Sequence, residues 1–282
     1  EGQAYIGGLG VFLVAINFSF LPVPIVWLLA IAGAIVFGAA WAYIPAYLQA
    51  KRGSHVVITT IMFNFIASSL MVFLLVDVIR DTNQMGPHTV ALPKELWFPT
   101  FKDFGNLFGM KIRYSPLNIS FILALIASFF VWFLIWKTKW GYEMRAVGHN
   151  IQAAVYAGIS PHKNIIIAML ISGGLAGMLG INEILGVHHK IVAGFPAGYG
   201  FTGIAVALMG RNHPVGIFPA AFLFGILYQG GSEVTFDMPN ITRYMFVAVQ
   251  GVIILFSGAL ENLFRPQIES FFVNRLNSKK VA

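Results

Sequence analysis

Long apolar runs separated by short polar clusters dominate the 282-residue chain. A helix crossing a hydrocarbon core of about 30 Å needs about 17–25 predominantly apolar residues. Six runs reach that length or come near it: Val23 to Gln49, Val56 to Ile79, Leu117 to Trp136, Ile165 to Leu185, Pro214 to Tyr228 and Ile241 to Leu260. Two further pieces, Ala4 to Ile16 and Phe201 to Met209, are too short for a comfortable span and read as half-helices. The pattern predicts an all-α fold, a polytopic transmembrane helical bundle of six full spans and two short or broken helices.

Composition agrees. Apolar residues make up 57% of the chain and charged residues 10%, with a mean hydropathy of +0.76. Soluble domains average about 45–50% and about 25%, so a soluble enzyme, a disordered chain, a fibrous protein and a disulfide-rich secreted scaffold are excluded. The absence of cysteine removes disulfides, iron–sulfur clusters and thiolate zinc sites. The 29 glycines suit close helix packing in lipid, where small residues let backbones approach.

The net charge of +7 resolves once it is mapped onto alternating segments. With the carboxyl terminus placed inside, the inner loops and the tail hold eleven basic residues: Lys51, Arg52, Lys137, Lys139, Arg145, Lys163, Arg211, Arg265, Arg275, Lys279 and Lys280. Only Glu143, Glu261 and Glu269 oppose them, a net of +8, while the outer segments balance to zero. The excess is a positive-inside topology signal, and nucleic-acid binding loses its support. The chain is thus read as a single transmembrane domain over 1–264 followed by a basic cytoplasmic tail at 265–282. It begins at Glu1 without a methionine, so a further amino-terminal region is expected upstream.

Two polar segments stand out. The external loop 80–116 carries Pro87, Pro93 and Pro99 among Trp97, Phe98, Phe101, Phe104 and Phe108. It reads either as an aromatic stretch in the outer interface or as a docking surface for an external partner. The internal segment 138–162 is more structured. Asn150 suits an N-cap for a helix over 151–157, Gly158 suits its C′ position, and Ser160-Pro161 reads as the next cap followed by proline at the first helical position. A helix of two turns is marginal alone in water, so something must pack on it.

Catalytic and metal signatures are missing. No P-loop, H-E-x-x-H or G-x-S-x-G occurs, and no pair of acids lies within a span. His188-His189 reads as interfacial polarity rather than a metal site. No catalytic residue, metal ligand or cofactor is assigned to this chain. Charge within the spans is sparse and stands near their ends, at Asp77, Glu183 and Arg243, unlike the ionisable relays of pumps. Asn64, Ser68, Asn182, Glu183, Phe195 and Gln250 are the candidates for lining a path for a neutral solute. The plain alternative for the polar members is hydrogen bonding between helices.

Three stretches resemble one family. Gly141 to Ser160 reads GYEMRAVGHNIQAAVYAGIS, Tyr199 to Gly216 reads YGFTGIAVALMGRNHPVG, and Glu1-Gly2-Gln3 is similar to the end of an early signature. Their order and spacing resemble the permeases of bacterial ABC importers for simple sugars and nucleosides, with the nucleoside-type branch the nearer. The resemblance implies a second permease (commonly a different subunit), ATP-binding modules (commonly two fused in one chain) that hold ATP-Mg, an external solute-binding lipoprotein, and residence in the cytoplasmic membrane. It also implies that 138–162 couples to the ATPase, through Glu143, Arg145, Gly148, His149, Asn150, Ala153, Ala154 and Gly158. Within the family, Glu1 to Gly10 and Phe201 to Met209 are expected to be counterparts in an inverted repeat, with glycine-rich leads at a transport site.

The expected function is a non-catalytic permease that forms the path for a small neutral solute, a nucleoside first and a simple sugar such as ribose second. A stand-alone carrier or channel is the rival of another class; it would need no ATPase. A membrane-embedded enzyme acting on lipid would need a catalytic constellation that the sequence lacks.

Overall fold

The computed structural model describes residues 1–82, 86–102, 117–238, 245–253 and 255–256. Among these residues it is helical, without a strand. The helices are α1 (Gly2–Asn17), α2 (Val23–Arg52), α3 (Val56–Phe73), α4 (Ser120–Lys137), α5 (Lys139–His149), α6 (Ile151–Tyr156), α7 (Pro161–Gly177), α8 (Tyr199–Met209) and α9 (Pro214–Asp237). α3 runs on through a π-helical turn, Leu74–Val78, and α7 continues through Leu179–Ile181 into a second π turn, Asn182–Val187.

Five helices are long and apolar enough to cross a membrane: Val23–Arg52, Val56–Val78, Ser120–Lys137, Pro161–Val187 and Pro214–Thr235. All five expected spans in this region are present, with shifted ends. The largest shift is in α9, whose Gly230-Gly231 pair ends the apolar run without ending the helix. The two short pieces appear as α1 and α8, of 16 and 11 residues. At 1.5 Å per residue they reach about 24 and 17 Å, less than the core thickness. The sixth expected span, Ile241 to Leu260, lies partly outside the described residues, of which 245–253 are helical. The tail 265–282 lies outside them altogether.

The chain divides into two compact units, 1–200 and 201–282. In the first, α1, α2 and α7 pack through bare backbone. A Cβ on Gly7 would strike the backbone of Gly177, and one on Gly38 would strike Gly173. Lipid gives no hydrophobic drive between helices, so packing density and close approach must hold them. Val11, Phe12, Val26, Met71, Ile184 and Leu185 fill the remaining interior. In the second unit, a turn with Arg211 and Asn212 at φ 54° and 53° brings Gly210 against Gly216. Ala205, Val206, Ala220 and Phe224 form its core.

Within the first unit, residues 88–98 are held against the helices. The Trp27 indole donates to the Leu96 carbonyl at 2.9 Å and meets Phe98 edge-on at 5.3 Å. The Phe98 N–H donates to Leu185 at 2.9 Å, and Thr89 exchanges two hydrogen bonds with Ile191. Leu92, Leu96 and Phe98 are buried. Within this loop the aromatics at 97 and 98 therefore pack on the protein's own helix ends; Phe104 and Phe108 lie outside the described residues.

Candidate functional site

The segment between α4 and α7 is built from local signals. Thr138 ends α4 and starts α5: its hydroxyl donates to Leu134 at 2.6 Å and accepts from the Gly141 N–H at 3.1 Å. Gly141 is fixed there because a Cβ would enter the carbonyls of Leu134 and Ile135. α5 was not legible from apolar periodicity, since its sequence, KWGYEMRAVGH, buries only Gly141 and Val147.

The cap pattern around the short helix is as the sequence predicts. The Asn150 side chain accepts from the Ala153 N–H at 3.1 Å, α6 spans Ile151–Tyr156, and Gly158 sits at φ 77°. The left-handed region is costly for any residue with a Cβ, which is why glycine stands there. Pro161 occupies the first position of α7.

The candidate coupling residues divide by exposure. Arg145, Gly148, His149, Asn150, Ala153 and Gly158 are exposed, and a Cβ on Gly148 would meet open space. Ala154 is 2% exposed and packs inward, so of the two alanines only Ala153 is exposed. Glu143 is held within the chain: Asn164 donates to it at 3.4 Å, and Lys139 lies 3.9 Å away. It ties α5 to Asn164, the buried residue in the first turn of α7. Beyond the candidates, α6 presents Ile151, Val155 and Tyr156 outward, the last at 93% exposure. Ile151 and Val155 border a mainly apolar groove of about 610 Å³ with Ala50, Pro161 and Ile165. The groove places the carboxyl end of α2, with Lys51 and Arg52, on the same side as this segment.

The candidate path residues fall into separate groups. Asn64, Ser68 and Phe195 gather around the start of α1. The Gly2 N–H donates to Asn64 Oδ1 at 2.8 Å, and Tyr5 meets Phe195 edge-on at 5.4 Å. Trp41 packs edge-on against Phe63 at 5.5 Å, and its indole nitrogen and Glu1 Oε1 are buried without partners among the described residues. Tyr5 and Trp41, which pack beside Phe195 and Phe63, are not among the residues that the sequence analysis singled out. An indole in mid-span, away from the interface where tryptophan is usual, was the available signal.

Asn182 and Glu183 belong instead to a separate network. Asn182 Oδ1 accepts from Ser120 Oγ at 2.6 Å and from Asn118 Nδ2 at 3.2 Å, and its amide donates to Glu183 at 3.0 Å. His188 Nε2 lies 3.5 Å from the other Glu183 oxygen. These bonds join α4 to the π turn after α7, a turn type that recurs at functional sites. Gln250 lies in the second unit, half-buried. Among the described residues no group of three or more His, Asp or Glu side chains could hold a metal ion.

Comparison with known proteins gives this arrangement its context. Over 260 residues the chain is 36% identical to the guanosine ABC transporter permease protein NupP of Bacillus subtilis, covering 91% of this chain and 71% of that protein. It is 33% identical to the glucose ABC transporter permease protein TsgB13 of Haloferax volcanii, covering 98% and 72%. The nucleoside ABC transporter permease protein NupB of Lactococcus lactis is 34% identical, with 88% and 69% covered. No solved structure matches significantly. Residues 1–258 match the family described as branched-chain amino acid transport system / permease component. With helices able to span a membrane several times and ABC permeases as its relatives, the chain belongs to this family of multi-pass membrane permeases, transport subunits that work with an ATPase and a substrate-binding partner.

Proposed function

We propose that this permease imports a nucleoside across the bacterial cytoplasmic membrane, with its carboxyl terminus inside, alongside a second, non-identical permease. A fused double ATPase binds ATP-Mg on the inner face, and a lipoprotein delivers the solute outside. Two of the relatives above are named for guanosine or nucleosides, and few ionisable groups stand in the spans, as suits an uncharged cargo.

The observation that carries the coupling reading is α6: a six-residue helix, capped at both ends, with Ile151, Val155 and Tyr156 uncovered. Exposed apolar side chains beside a groove mark a protein contact, and tyrosine is favoured at the energetic centre of such contacts. Closure of the ATPase dimer would push on α6, and α5 and α7, joined through Glu143 and Asn164, would pass the movement to the spans.

The test is uptake of labelled guanosine by the complete transporter in proteoliposomes, with and without ATP inside the ATPase-bearing compartment. Nucleoside uptake independent of ATP would sink the coupling reading in favour of a stand-alone carrier. Uptake of glucose or ribose in place of guanosine would favour the second cargo, a simple sugar, which the similarity to the Haloferax glucose permease supports.

A further inference from the structure

The groove beside α6 opens where two spans end. The backbones of Gly38 and Gly173 abut, as do those of Ala34 and Gly177, so α2 and α7 run antiparallel. The same register brings Ala50 level with the start of α7. Ala50, Ile151, Val155, Ile159 and Ile165 line the cavity of about 610 Å³ at that point, and His162 is part of its wall. Its size falls in the range of about 300–1,000 Å³ usual for small-ligand sites. Val23–Arg52 and Pro161–Val187 are both long and apolar enough to span, so the end they share stands where hydrocarbon gives way to headgroups.

Both helices carry cations at this end. Lys51 and Arg52 follow Ala50 in the last turn of α2, and Lys163 follows His162 in the first turn of α7; all three are exposed. None of the three has an ion-pair partner among the described residues. Glu143, the acid that Asn164 meets, is shared with Lys139. The dipole of α2 accounts for Lys51 and Arg52, since a cation suits the carboxyl end of a helix. Lys163 stands at the opposite, positive end of α7, where an acid is favoured. Three cations from two helices thus surround a groove whose wall is mainly apolar.

An anion that carries an apolar chain matches both features. A free phosphate would leave the isoleucines uncovered, and a lipid without net charge would leave the cations unanswered. Basic pockets between membrane helices take anionic headgroups, and the stems of Lys and Arg lie along apolar surface while their charged ends reach out. Ile151 and Val155, one turn apart, share the groove face of α6. Tyr156 stands about 100° further round that helix from Val155, so an occupied groove leaves it open to the ATPase.

We propose that this groove binds one anionic phospholipid, its phosphate held among Lys51, Arg52 and Lys163 and one acyl chain laid along Ile151, Val155 and Ile165. The site goes beyond the permease reading above and does not depend on which solute is carried.

The experiment places the complete transporter in phosphatidylcholine vesicles that contain phosphatidylglycerol with a photoactivatable acyl chain, and maps the cross-linked peptides by mass spectrometry. Peptides around Ala50 and over 159–165 are expected to label severalfold more than when the photoactivatable chain is carried by phosphatidylcholine. Replacing the three cations together, Lys51→Gln, Arg52→Gln and Lys163→Gln, should cut that labelling about tenfold or more. Lys51→Arg with Lys163→Arg keeps the charge and should leave it within about twofold. The ATPase rate and thermal midpoint of the complex show that each variant folds and assembles. Equal labelling by the two lipids overturns the proposal, and this comparison needs no variant. Labelling that survives loss of the three cations overturns it too. So does labelling of other span ends with none at these peptides, the result expected if a protein subunit fills the groove. Each readout is taken without uptake, so a failure of the nucleoside reading leaves it unaffected.

Discussion

The imidazole of His189 lies flat on the indole of Trp97, with ring centroids 3.7 Å apart and planes 6° from parallel. The stack pins the 88–98 loop to the turn that follows α7, beside the hydrogen bond from the Leu92 N–H to the His189 carbonyl at 2.8 Å. Burial pushes the His189 imidazole below its ordinary pKa of 6.5, helped by the neighbouring His188. The docked loop therefore favours neutral imidazole. Once undocked, the ring takes a proton more readily, so docking is at full strength above about pH 6.5 and weakens as pH falls towards the lowered value. Hydrogen exchange of residues 88–98 in the assembled transporter should quicken on acidification, and His189→Phe should flatten that pH dependence. Exchange equally slow at pH 5 and pH 8 in the wild type would refute the arrangement.

The Asn182 network is expected to act as a latch between α4 and the π turn. Asn182→Leu removes the acceptor of Ser120 and Asn118 and the donor to Glu183. Orphaning buried polar groups costs about 1–3 kcal/mol. The thermal midpoint of the purified complex should fall clearly, and an unchanged midpoint would show that the network contributes nothing.

Glycine positions give two opposite expectations. Gly177 faces the backbones of Ala34 and Gly38, neither of which can move aside for a side chain. Gly177→Leu should prevent α2 and α7 from closing, at a cost beyond the 1–3 kcal/mol or so of ordinary overpacking, and little assembled protein should be recovered from membranes. Gly148 is helical with open space around it, so Gly148→Ala should raise stability by up to about 1 kcal/mol. Thermal unfolding of the two variants separates a packing glycine from a surface one.

These contrasts also mark what a sequence can carry. Asn150, Gly158 and Pro161 act within a few residues of themselves, through caps and one left-handed backbone position, and were legible. The spans were legible because lipid demands length and apolarity of each segment separately. The ends of the spans were less so: a helix persists past its apolar stretch, as α9 does beyond Tyr228. What brings Ser120 to Asn182, Trp97 to His189 or Gly2 to Asn64 is tertiary packing across distant segments. No local pattern encodes those meetings. Asn64 and Asn182 looked alike as polar residues in apolar runs, yet they stand in different clusters.

The cap of α6 offers the most direct test of coupling. Asn150 satisfies the Ala153 N–H, and its loss to alanine costs a helix about 1 kcal/mol. In a helix of six residues that is enough to fray the first turn, where Ile151 is exposed. The spans do not depend on this turn, so the thermal midpoint of Asn150→Ala should stay close to wild type. A frayed α6 would transmit less of the ATPase movement, so solute imported per ATP hydrolysed should drop severalfold. Asn150→Asp and Asn150→Ser, which cap as well as asparagine, should restore it. A stand-alone carrier would show no such pattern. Normal uptake by Asn150→Ala, with Tyr156→Ala equally without effect, would mean that α6 is only a connector.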